Sequence, residues 1–243
     1  MSDYELLKNA LRQLGHAPAP EQLDRFMAYS RLLLEWNAKT NLTAITEPKD
    51  ILLKHFADSI SVADFITSGQ AISLLDVGTG AGFPGVPIKI MRSDIRLTLL
   101  DSLNKRITFL RALAAELALS DVEFIHVRAE DAARTQLRES FDVVVSRAVA
   151  ALPALAEYCL PFVKQGGRFI AMKGPEPENE IAAAGSLIHE LGGGAVSLKH
   201  ITIPFTDIRH SLIIIEKQHP TPERYPRGVK KIGRQHRYAS GAL

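Results

Sequence analysis

The fold of this chain is indicated most clearly by the segment Ile72-Ser-Leu-Leu-Asp-Val-Gly-Thr-Gly-Ala-Gly-Phe-Pro-Gly85. Its first half is a short apolar run, which is typical of a buried strand in a parallel sheet. Its second half is rich in glycine, which allows the backbone to turn tightly and to approach a ligand closely. Pro84 can open the helix that follows. We therefore expect a strand, a tight turn that approaches a ligand, and a helix. The alternative is that the glycines only allow a tight connection between the strand and the helix.

Short apolar segments that alternate with helical patterns follow this strand along the chain. The candidate strands are 96–100, 122–127, 142–146, 168–172, 196–203 and 211–217. The last two are joined by a short turn, and only antiparallel strands can be connected so briefly. We therefore predict an α/β fold with a Rossmann-like sheet that is mostly parallel and has one reversed strand near its edge. Ligands of such sheets bind at the carboxyl ends of the strands.

The chain divides by pattern into a helical N-terminal cap (1–66), a core (67–219) and a basic C-terminal tail (220–243). The formal net charge is +2, but the basic surplus is concentrated in the tail. The segment from Arg224 to Arg237 contains no acid and six cations: Arg224, Arg227, Lys230, Lys231, Arg234 and Arg237. Such a segment predicts either a solvated tail or contact with nucleic acid phosphates.

Composition and cysteine usage exclude several classes of protein. Of the 243 residues, 46% are hydrophobic and 23% are charged, which is a globular composition. No apolar run reaches the roughly 18–20 residues that span a bilayer, and Asp3 and Glu5 stand where a signal peptide is basic. Because Cys159 is the single cysteine and the histidines lack ligand spacing, we expect no disulfide framework and no metal site. We expect a cytoplasmic protein that does not bind a membrane.

The glycine segment fits two cofactor patterns that differ in charge. Gly80-Ala-Gly-Phe-Pro-Gly85 fits G-x-G-x-x-G, which binds the pyrophosphate of a dinucleotide through backbone amides. Asp76-x-Gly78-x-Gly80-x-Gly82 is similar to the pattern of methyltransferases, in which an acid precedes the first glycine. S-adenosylmethionine carries an ammonium and a sulfonium, so a carboxylate attracts it and would repel a pyrophosphate. Asp76 therefore favours S-adenosylmethionine as the cofactor and a class I methyltransferase fold.

Three further positions at the ends of predicted strands are candidates for the same site. Asp101 ends the second strand, where an acid can accept hydrogen bonds from both ribose hydroxyls or can cap the next helix. Ala129 and Glu130 follow the third strand, where an adenine-contacting segment belongs, although a solvent-facing acid is the alternative. Arg147 follows the fourth strand, at the position that faces the reacting methyl group in this fold.

The fourth strand and the cysteine argue against other methyl-transfer chemistries. The strand ends in Ser146-Arg147-Ala148, without the Asn/Asp-Pro-Pro-Tyr/Phe pattern of amine-directed methyltransferases. Enzymes that methylate cytosine C5 need a nucleophilic cysteine. Cys159 lies in an apolar helical stretch, so we expect it in the core.

Several linked motifs give the chain a specific resemblance. Besides the glycine segment they are Trp36-Asn-Ala-Lys-Thr-Asn-Leu-Thr43, Lys54-His-Phe-Ala-Asp-Ser59, Ser146-Arg-Ala-Val149, Met172-Lys-Gly174, Arg209-His210 and Tyr225-Pro-Arg227. In this order they resemble the bacterial small-subunit rRNA guanine-N7 methyltransferases, also called the glucose-inhibited division protein B family. The similarity runs from about Leu33 to Arg227, and linked motifs are far more specific than any one alone.

This resemblance implies an activity, a cofactor and a substrate. The expected reaction is transfer of a methyl group from S-adenosylmethionine to N7 of a guanine in a loop of 16S rRNA, either free or within a small ribosomal subunit particle. The resemblance implies cofactor contacts at Gly78, Phe83, Ala129, Glu130 and Arg147. The full predicted cofactor site adds Asp76, Gly80 and Asp101. After Arg227 the chain lacks the Pro-rich ending that is usual in the family.

The predicted substrate-binding residues come from the cap and from the tail. Lys54, His55 and Asp58 share one helix face by i, i+4 spacing, and a solvated, mutually paired face is the ordinary interpretation. The resemblance favours instead a wall over the active site that meets the target nucleotide, with the turn predicted at Asn37-Ala-Lys-Thr-Asn41, before this helix, contributing to it. The predicted set is Asn37, Lys39, Asn41, Lys54, His55 and Arg227.

No side chain is predicted to act as a general base. Guanine N7 has an in-plane lone pair and no proton, so it can attack the sulfonium methyl group directly, and catalysis reduces to alignment. Two other classes remain open at this point. A nicotinamide oxidoreductase would have to tolerate Asp76, and a non-catalytic RNA-binding protein could retain a methyltransferase shell.

Overall fold

The computed structural model describes residues 1–66, 71–147, 149–228 and 232, and a seven-stranded sheet forms its centre. The strands are β1 (Ser73–Val77), β2 (Arg96–Asp101), β3 (Val122–His126), β4 (Phe141–Arg147), β5 (Val163–Lys173), β6 (Gly193–Thr202) and β7 (Arg209–Lys217). Their order across the sheet is β3-β2-β1-β4-β5-β7-β6. Strands β1 to β5 are parallel, whereas β7 is antiparallel to β5 and to β6. The predicted mostly parallel sheet with one reversed strand near its edge is confirmed.

Helices cover both faces of this sheet, as buried parallel strands require. They are α1 (Asp3–Gln13), α2 (Pro20–Thr40), α3 (Pro48–Asp50), α4 (Asp58–Ile60), α5 (Gly85–Met91), α6 (Asn104–Glu116), α7 (Ala129–Ala132), α8 (Leu152–Cys159) and α9 (Glu178–Glu190). A π-helix, Ile51–Ala57, joins α3 to α4. Leu7, Phe26 and Phe56 of the N-terminal cap share one apolar core with Leu74 of β1 and Ile170 of β5. The cap is therefore packed directly on one face of the sheet, opposite α7 to α9.

The turn expected at 37–41 begins later than the sequence pattern predicts. Helix α2 continues to Thr40, and Asn41 is the first residue to leave it, with φ of 49°. The Asn37 Oδ1 atom accepts hydrogen bonds from the backbone N–H groups of Leu42 (2.6 Å) and Thr43 (2.9 Å). Asparagine side chains compete with the helix for backbone groups. Here that competition ends the helix one turn after Asn37 itself.

Strands β5 and β6 are longer than their apolar segments. β5 begins at Val163, five residues before the predicted start, and its register shifts between Phe141 and Val143 of β4. β6 begins at Gly193 instead of Val196. The added residues include glycines, which continue the backbone pairing but supply no side chain to the hydrophobic pattern.

Residues 219–228, which we call the C-terminal strap, are held against the core by arginines. Arg138 donates hydrogen bonds to the carbonyl oxygens of Tyr225 (2.9 Å) and Thr221 (2.6 Å). Two cations of the predicted basic tail pair with acids of the fold, Arg224 with Glu190 and Arg227 with Glu157. The other four, Lys230, Lys231, Arg234 and Arg237, lie outside the described residues.

Within the described ranges, no helix is long and apolar enough to cross a membrane. The same residues contain no group of three or more His, Cys, Asp or Glu side chains that could hold a metal ion. Cys159 is buried in α8, which confirms its prediction as a core residue.

Candidate active site

A cleft of about 600 Å³ opens at the carboxyl ends of β1, β2 and β4. Seven of the eight predicted cofactor residues line it: Gly78, Gly80, Phe83, Asp101, Ala129, Glu130 and Arg147. The topology explains this grouping, because the carboxyl ends of parallel strands meet at one edge of the sheet. The cleft therefore brings together residues that are up to about seventy positions apart in the sequence.

The glycine turn forms the floor of the cleft in a conformation that other residues rarely adopt. Gly78 and Gly82 have φ of 69° and 100°. A Cβ on Gly82 would lie 2.6 Å from the Tyr29 hydroxyl oxygen, and one on Gly78 would lie 2.6 Å from a methyl group of Val149. The Gly78 N–H donates to the Leu100 carbonyl at 2.8 Å, which ties the turn to β2. Glycine is thus required both for the backbone conformation and for the close packing.

Asp76 lies beneath the turn and does not line the cleft. Its side chain is fully buried, and Oδ2 accepts hydrogen bonds from the Thr79 hydroxyl (2.7 Å) and the Gly85 N–H (2.9 Å). Burial raises the pKa of Asp76 to about 6, and these two hydrogen bonds oppose the rise. Oδ2 thus fixes the turn, whereas Oδ1 is a buried atom without a hydrogen-bond partner among the described residues. The attraction between Asp76 and a cofactor ammonium stays a prediction.

Asp101 joins the glycine turn to the segment that leads into α6. It is 1% exposed, and its Oδ1 accepts from the Leu103 N–H at 2.9 Å, just before α6. Its Oδ2 accepts from the Gly80 N–H at 3.0 Å and from Arg106 at 3.1 Å. The carboxylate therefore braces the glycine turn while it lines the cleft, but it does not cap the first turn of α6. Its contact with a ribose stays a prediction.

Glu130 contributes an acid with unused hydrogen-bonding capacity. It is 7% exposed, follows β3 in α7, and lines the cleft beside Ala129 and Tyr158. Among the described residues, Glu130 Oε1 and Arg106 Nε are buried atoms without a hydrogen-bond partner. A buried polar atom left unpaired costs free energy. Both atoms therefore fit a cleft that is completed by a polar ligand.

Arg147, at the end of β4, is held by side chains of the N-terminal cap. Its Nη1 donates to Asp58 Oδ2 at 2.8 Å, and its Nη2 lies 3.1 Å from His55 Nδ1. The guanidinium carbon lies 4.8 Å from the centroid of the Phe83 ring, on which the His55 ring also stacks at 4.3 Å. Asp58 balances the charge of Arg147, so this wall of the cleft adds little uncompensated positive charge.

His55 is a neutral side chain with both ring nitrogens engaged. Burial and the neighbouring charge of Arg147 together lower its pKa to about 3, and the opposing effect of Asp58 is smaller than that of Arg147. Since Arg147 can only donate, Nδ1 must accept, and the proton lies on Nε2, which is 2.9 Å from the Thr43 hydroxyl. His55 therefore supplies a fixed acceptor for Arg147, with no charge for a phosphate.

The other predicted substrate-binding residues do not reach the cleft. Lys54 pairs with Asp50, four residues earlier, at 2.6 Å, whereas Asp58 pairs with Arg147. The remaining predicted residues are Asn37, whose side chain fixes the turn after α2, Lys39 and Asn41, which are exposed, and Arg227, which binds buried Glu157. Of the predicted substrate set, only His55 lines the cleft.

Several residues that line the cleft were not predicted. Arg106, five residues after Asp101, could have been inferred as its partner from the first turn of α6. Thr43, Val149 and Tyr158 also line the cleft, but no spacing in the sequence distinguishes them from ordinary loop or helix positions. They reach it through tertiary packing.

Three features together define a class I, Rossmann-like methyltransferase. They are the order of the strands, the reversed β7, and the glycine turn below a cleft at the carboxyl ends of β1, β2 and β4. A family model described as rRNA small subunit methyltransferase G matches residues 22–210. The chain belongs to this family.

Relatives and solved structures agree with this assignment. The chain is 48% identical over 228 residues to the ribosomal RNA small subunit methyltransferase G of Alkaliphilus metalliredigens (strain QYMF), covering 93% of this chain and 95% of the relative. The identity to the protein of the same name from Clostridium botulinum (strain Alaska E43 / Type E3) is 48% over 233 residues, covering 96% and 98%. Neither the oxidoreductase nor the non-catalytic alternative is supported.

Two solved structures share the fold at low sequence identity. A SAM dependent methyltransferase from Aquifex aeolicus superposes with a TM-score of 0.52 and 17% identity, covering 72% of this chain and 97% of that chain. M. jannaschii TYW2 in complex with AdoMet gives a TM-score of 0.51 and 14% identity, covering 65% and 74%. These similarities concern the fold alone.

Proposed function

We propose that this protein transfers a methyl group from S-adenosylmethionine to N7 of a guanine in a loop of 16S rRNA. The observation that carries the proposal is the cleft itself, in a chain of the rRNA small subunit methyltransferase G family. Relatives that are 48% identical over 93% or more of the chain bear that name. The substrate is 16S rRNA, either free or within a small ribosomal subunit particle, and the place of action is the cytoplasm.

The residues of the cleft fit S-adenosylmethionine. A volume of about 600 Å³ lies within the range of roughly 300–1,000 Å³ for small-molecule sites. Asp101 would accept hydrogen bonds from the ribose hydroxyls, and the unpaired Glu130 Oε1 would accept one from the amino group of adenine. Phe83 offers an apolar contact. When bound, the cofactor supplies an electrophilic methyl group on a positively charged sulfur.

The cleft supports direct attack on the methyl group without proton transfer to the protein. His55 is the histidine of the cleft, and its two ring nitrogens are engaged by Arg147 and Thr43. Guanine N7 has no proton to remove, so the task of these side chains is to hold the reactants in line, which can supply up to roughly 7–11 kcal/mol. Arg147 and His55 are positioned for that task by Asp58 and Thr43.

The test is labelled methyl transfer to rRNA isolated from cells that lack this protein, followed by digestion to nucleosides. The proposal predicts that label appears in 7-methylguanosine from 16S rRNA and that rRNA from wild-type cells accepts little. In single turnover, the rate should be nearly flat across neutral pH. Label in an adenosine or cytidine, or a log-linear rise of the rate with pH that one His, Asp or Glu substitution abolishes, would contradict it.

A further inference from the structure

A second cavity, of about 330 Å³, adjoins the cleft at Arg147. Its lining residues are Asp58, Arg147, Met172, Lys173, Gly174 and His210. Arg147 lines both the cleft and this cavity, so one guanidinium forms a wall between them. A group held in the second cavity would therefore lie next to a ligand of the cleft. We call it the Asp58 cavity.

The charges of the Asp58 cavity are already balanced by protein groups. Arg147 pairs with Asp58 at 2.8 Å, and Lys173 pairs with Glu180 at 2.8 Å. Each of these cations has a carboxylate partner, so a phosphate gains little here. Met172 adds an apolar surface. The lining thus suits an uncharged, flat ligand with hydrogen-bonding edges, and the volume is at the lower end for ligand sites, as a single base requires.

Asp58 is a fixed and ionised carboxylate in this lining. Its Oδ1 lies 2.7 Å from His210 Nδ1, and its Oδ2 accepts from Arg147. Burial alone would raise the pKa of Asp58, but the hydrogen bond from His210 and the charge of Arg147 outweigh burial and lower it. The Ser61 hydroxyl, 3.3 Å from His210 Nε2, holds the far side of that ring. The negative charge is therefore held in one place.

We propose that the Asp58 cavity takes the acceptor guanine and that Asp58 offsets the positive charge that methylation creates on it, an assignment that rests on the proposed function. The N7 lone pair forms the bond to the methyl carbon, and the electron pair of the broken carbon–sulfur bond remains on sulfur. No proton is released, so the positive charge passes from sulfur to the purine ring. Although Arg147 and Asp58 form a neutral pair, Arg147 lines both spaces whereas Asp58 lines only the Asp58 cavity. The pair therefore turns its negative end to the purine, and this dipole stabilises the shift of charge more in the transition state than in the ground state.

The first test measures nucleotide binding to the protein saturated with S-adenosylhomocysteine. Calorimetry compares 7-methylguanosine 5′-monophosphate with guanosine 5′-monophosphate at mildly acidic pH, where the methylated ring is a full cation. Wild type should prefer the methylated nucleotide, and Asp58→Asn should reduce that preference by about tenfold or more. Asp142→Asn is the matched control, because Asp142 also pairs with a cation (Lys164, 3.0 Å) but at the other end of β4. A wild type without the preference, or an Asp58→Asn protein that keeps it, would overturn the assignment.

The second test fills the cavity and does not depend on the folding of the Asp58 variant. A Cβ on Gly174 meets nothing within 4 Å, so a larger side chain can be introduced at the wall of the cavity by Gly174→Leu. Gly185, an exposed residue of α9 with the same free space at Cβ, gives the control Gly185→Leu. Gly174→Leu should weaken the binding of both nucleotides and slow single-turnover methyl transfer, each about tenfold or more. The affinity for S-adenosylhomocysteine should be unchanged. If wild type methylates rRNA and Gly174→Leu behaves as wild type, the cavity assignment fails alone. If wild type transfers no methyl group, the proposed function fails.

Discussion

Replacing Asp101 by alanine separates its role in the fold from its predicted role in cofactor binding. In the structure its carboxylate accepts hydrogen bonds from the Gly80 N–H, the Leu103 N–H and Arg106. Loss of the two backbone hydrogen bonds costs about 1 kcal/mol in total, at the low end of their usual net contribution because water in the cleft can replace the carboxylate, and the partly exposed pair with Arg106 adds about 0–1 kcal/mol. We therefore expect the free energy of unfolding to fall by about 1–2 kcal/mol, which leaves the protein folded.

The cofactor loses more than the fold does. Hydrogen bonds to a charged acceptor contribute roughly 1.5–3 kcal/mol, so Asp101→Ala should raise the dissociation constant of S-adenosylhomocysteine by about ten- to a hundredfold. Calorimetry gives this constant, and urea unfolding without ligand gives the stability. Asp94→Ala, which breaks a surface pair with Arg92, is the control and should leave the constant unchanged. An unchanged constant in folded Asp101→Ala protein would reduce Asp101 to a brace of the glycine turn.

Three further predictions concern stability and RNA binding. Burial raises the pKa of Asp76 from 3.8 to about 6, so the folded protein binds this proton more tightly than the unfolded chain does. The resulting stabilisation is complete below pH 3.8, and roughly 3 kcal/mol of the free energy of unfolding is lost as pH rises to about 6. Asp76→Asn should remove this pH dependence from urea unfolding, and an unchanged profile would refute the burial argument. Arg227→Ala should destabilise the fold by about 3–5 kcal/mol in urea unfolding, because buried Glu157 loses its cationic partner and keeps only the hydrogen bond from the backbone N–H of residue 227 among its bonds to that residue; a loss below 1 kcal/mol would contradict this. Neutralising Lys230 and Lys231 should flatten the salt dependence of RNA binding in filter assays, by roughly 0.7 in the log-log slope for each phosphate that the variant no longer neutralises, and an unmoved slope would mean a merely solvated tail.

The fold and most of the cleft were predictable because they follow from local patterns. Short apolar runs that end at, or a few residues before, Gly78, Asp101, Ala129 and Arg147 specify strands, and parallel topology then brings their carboxyl ends together. The methyltransferase class followed from an acid before the first glycine, although that acid, Asp76, lies beneath the turn.

The substrate side was less predictable because it depends on backbone geometry and on distant partners. The stretch Ile51–Ala57 forms a π-helix, which no residue in its apolar sequence signals, and Lys54 pairs with Asp50 instead of Asp58. Arg227 stands in the sequence among the other tail cations, but its partner Glu157 is seventy residues earlier in the chain. The pairing of Asp58 with Arg147 likewise joins two elements that only the folded sheet brings together.

The target atom is tested most directly by methyl transfer to 16S rRNA transcribed with 7-deazaguanosine in place of guanosine. This replacement keeps the Watson–Crick edge of the base but puts a carbon at position 7, which has no lone pair to attack the methyl group. The guanosine transcript should accept the methyl group, and the 7-deaza transcript should accept none above background. Equal transfer to both transcripts would show that the methyl group goes to another atom, and would contradict methylation at N7.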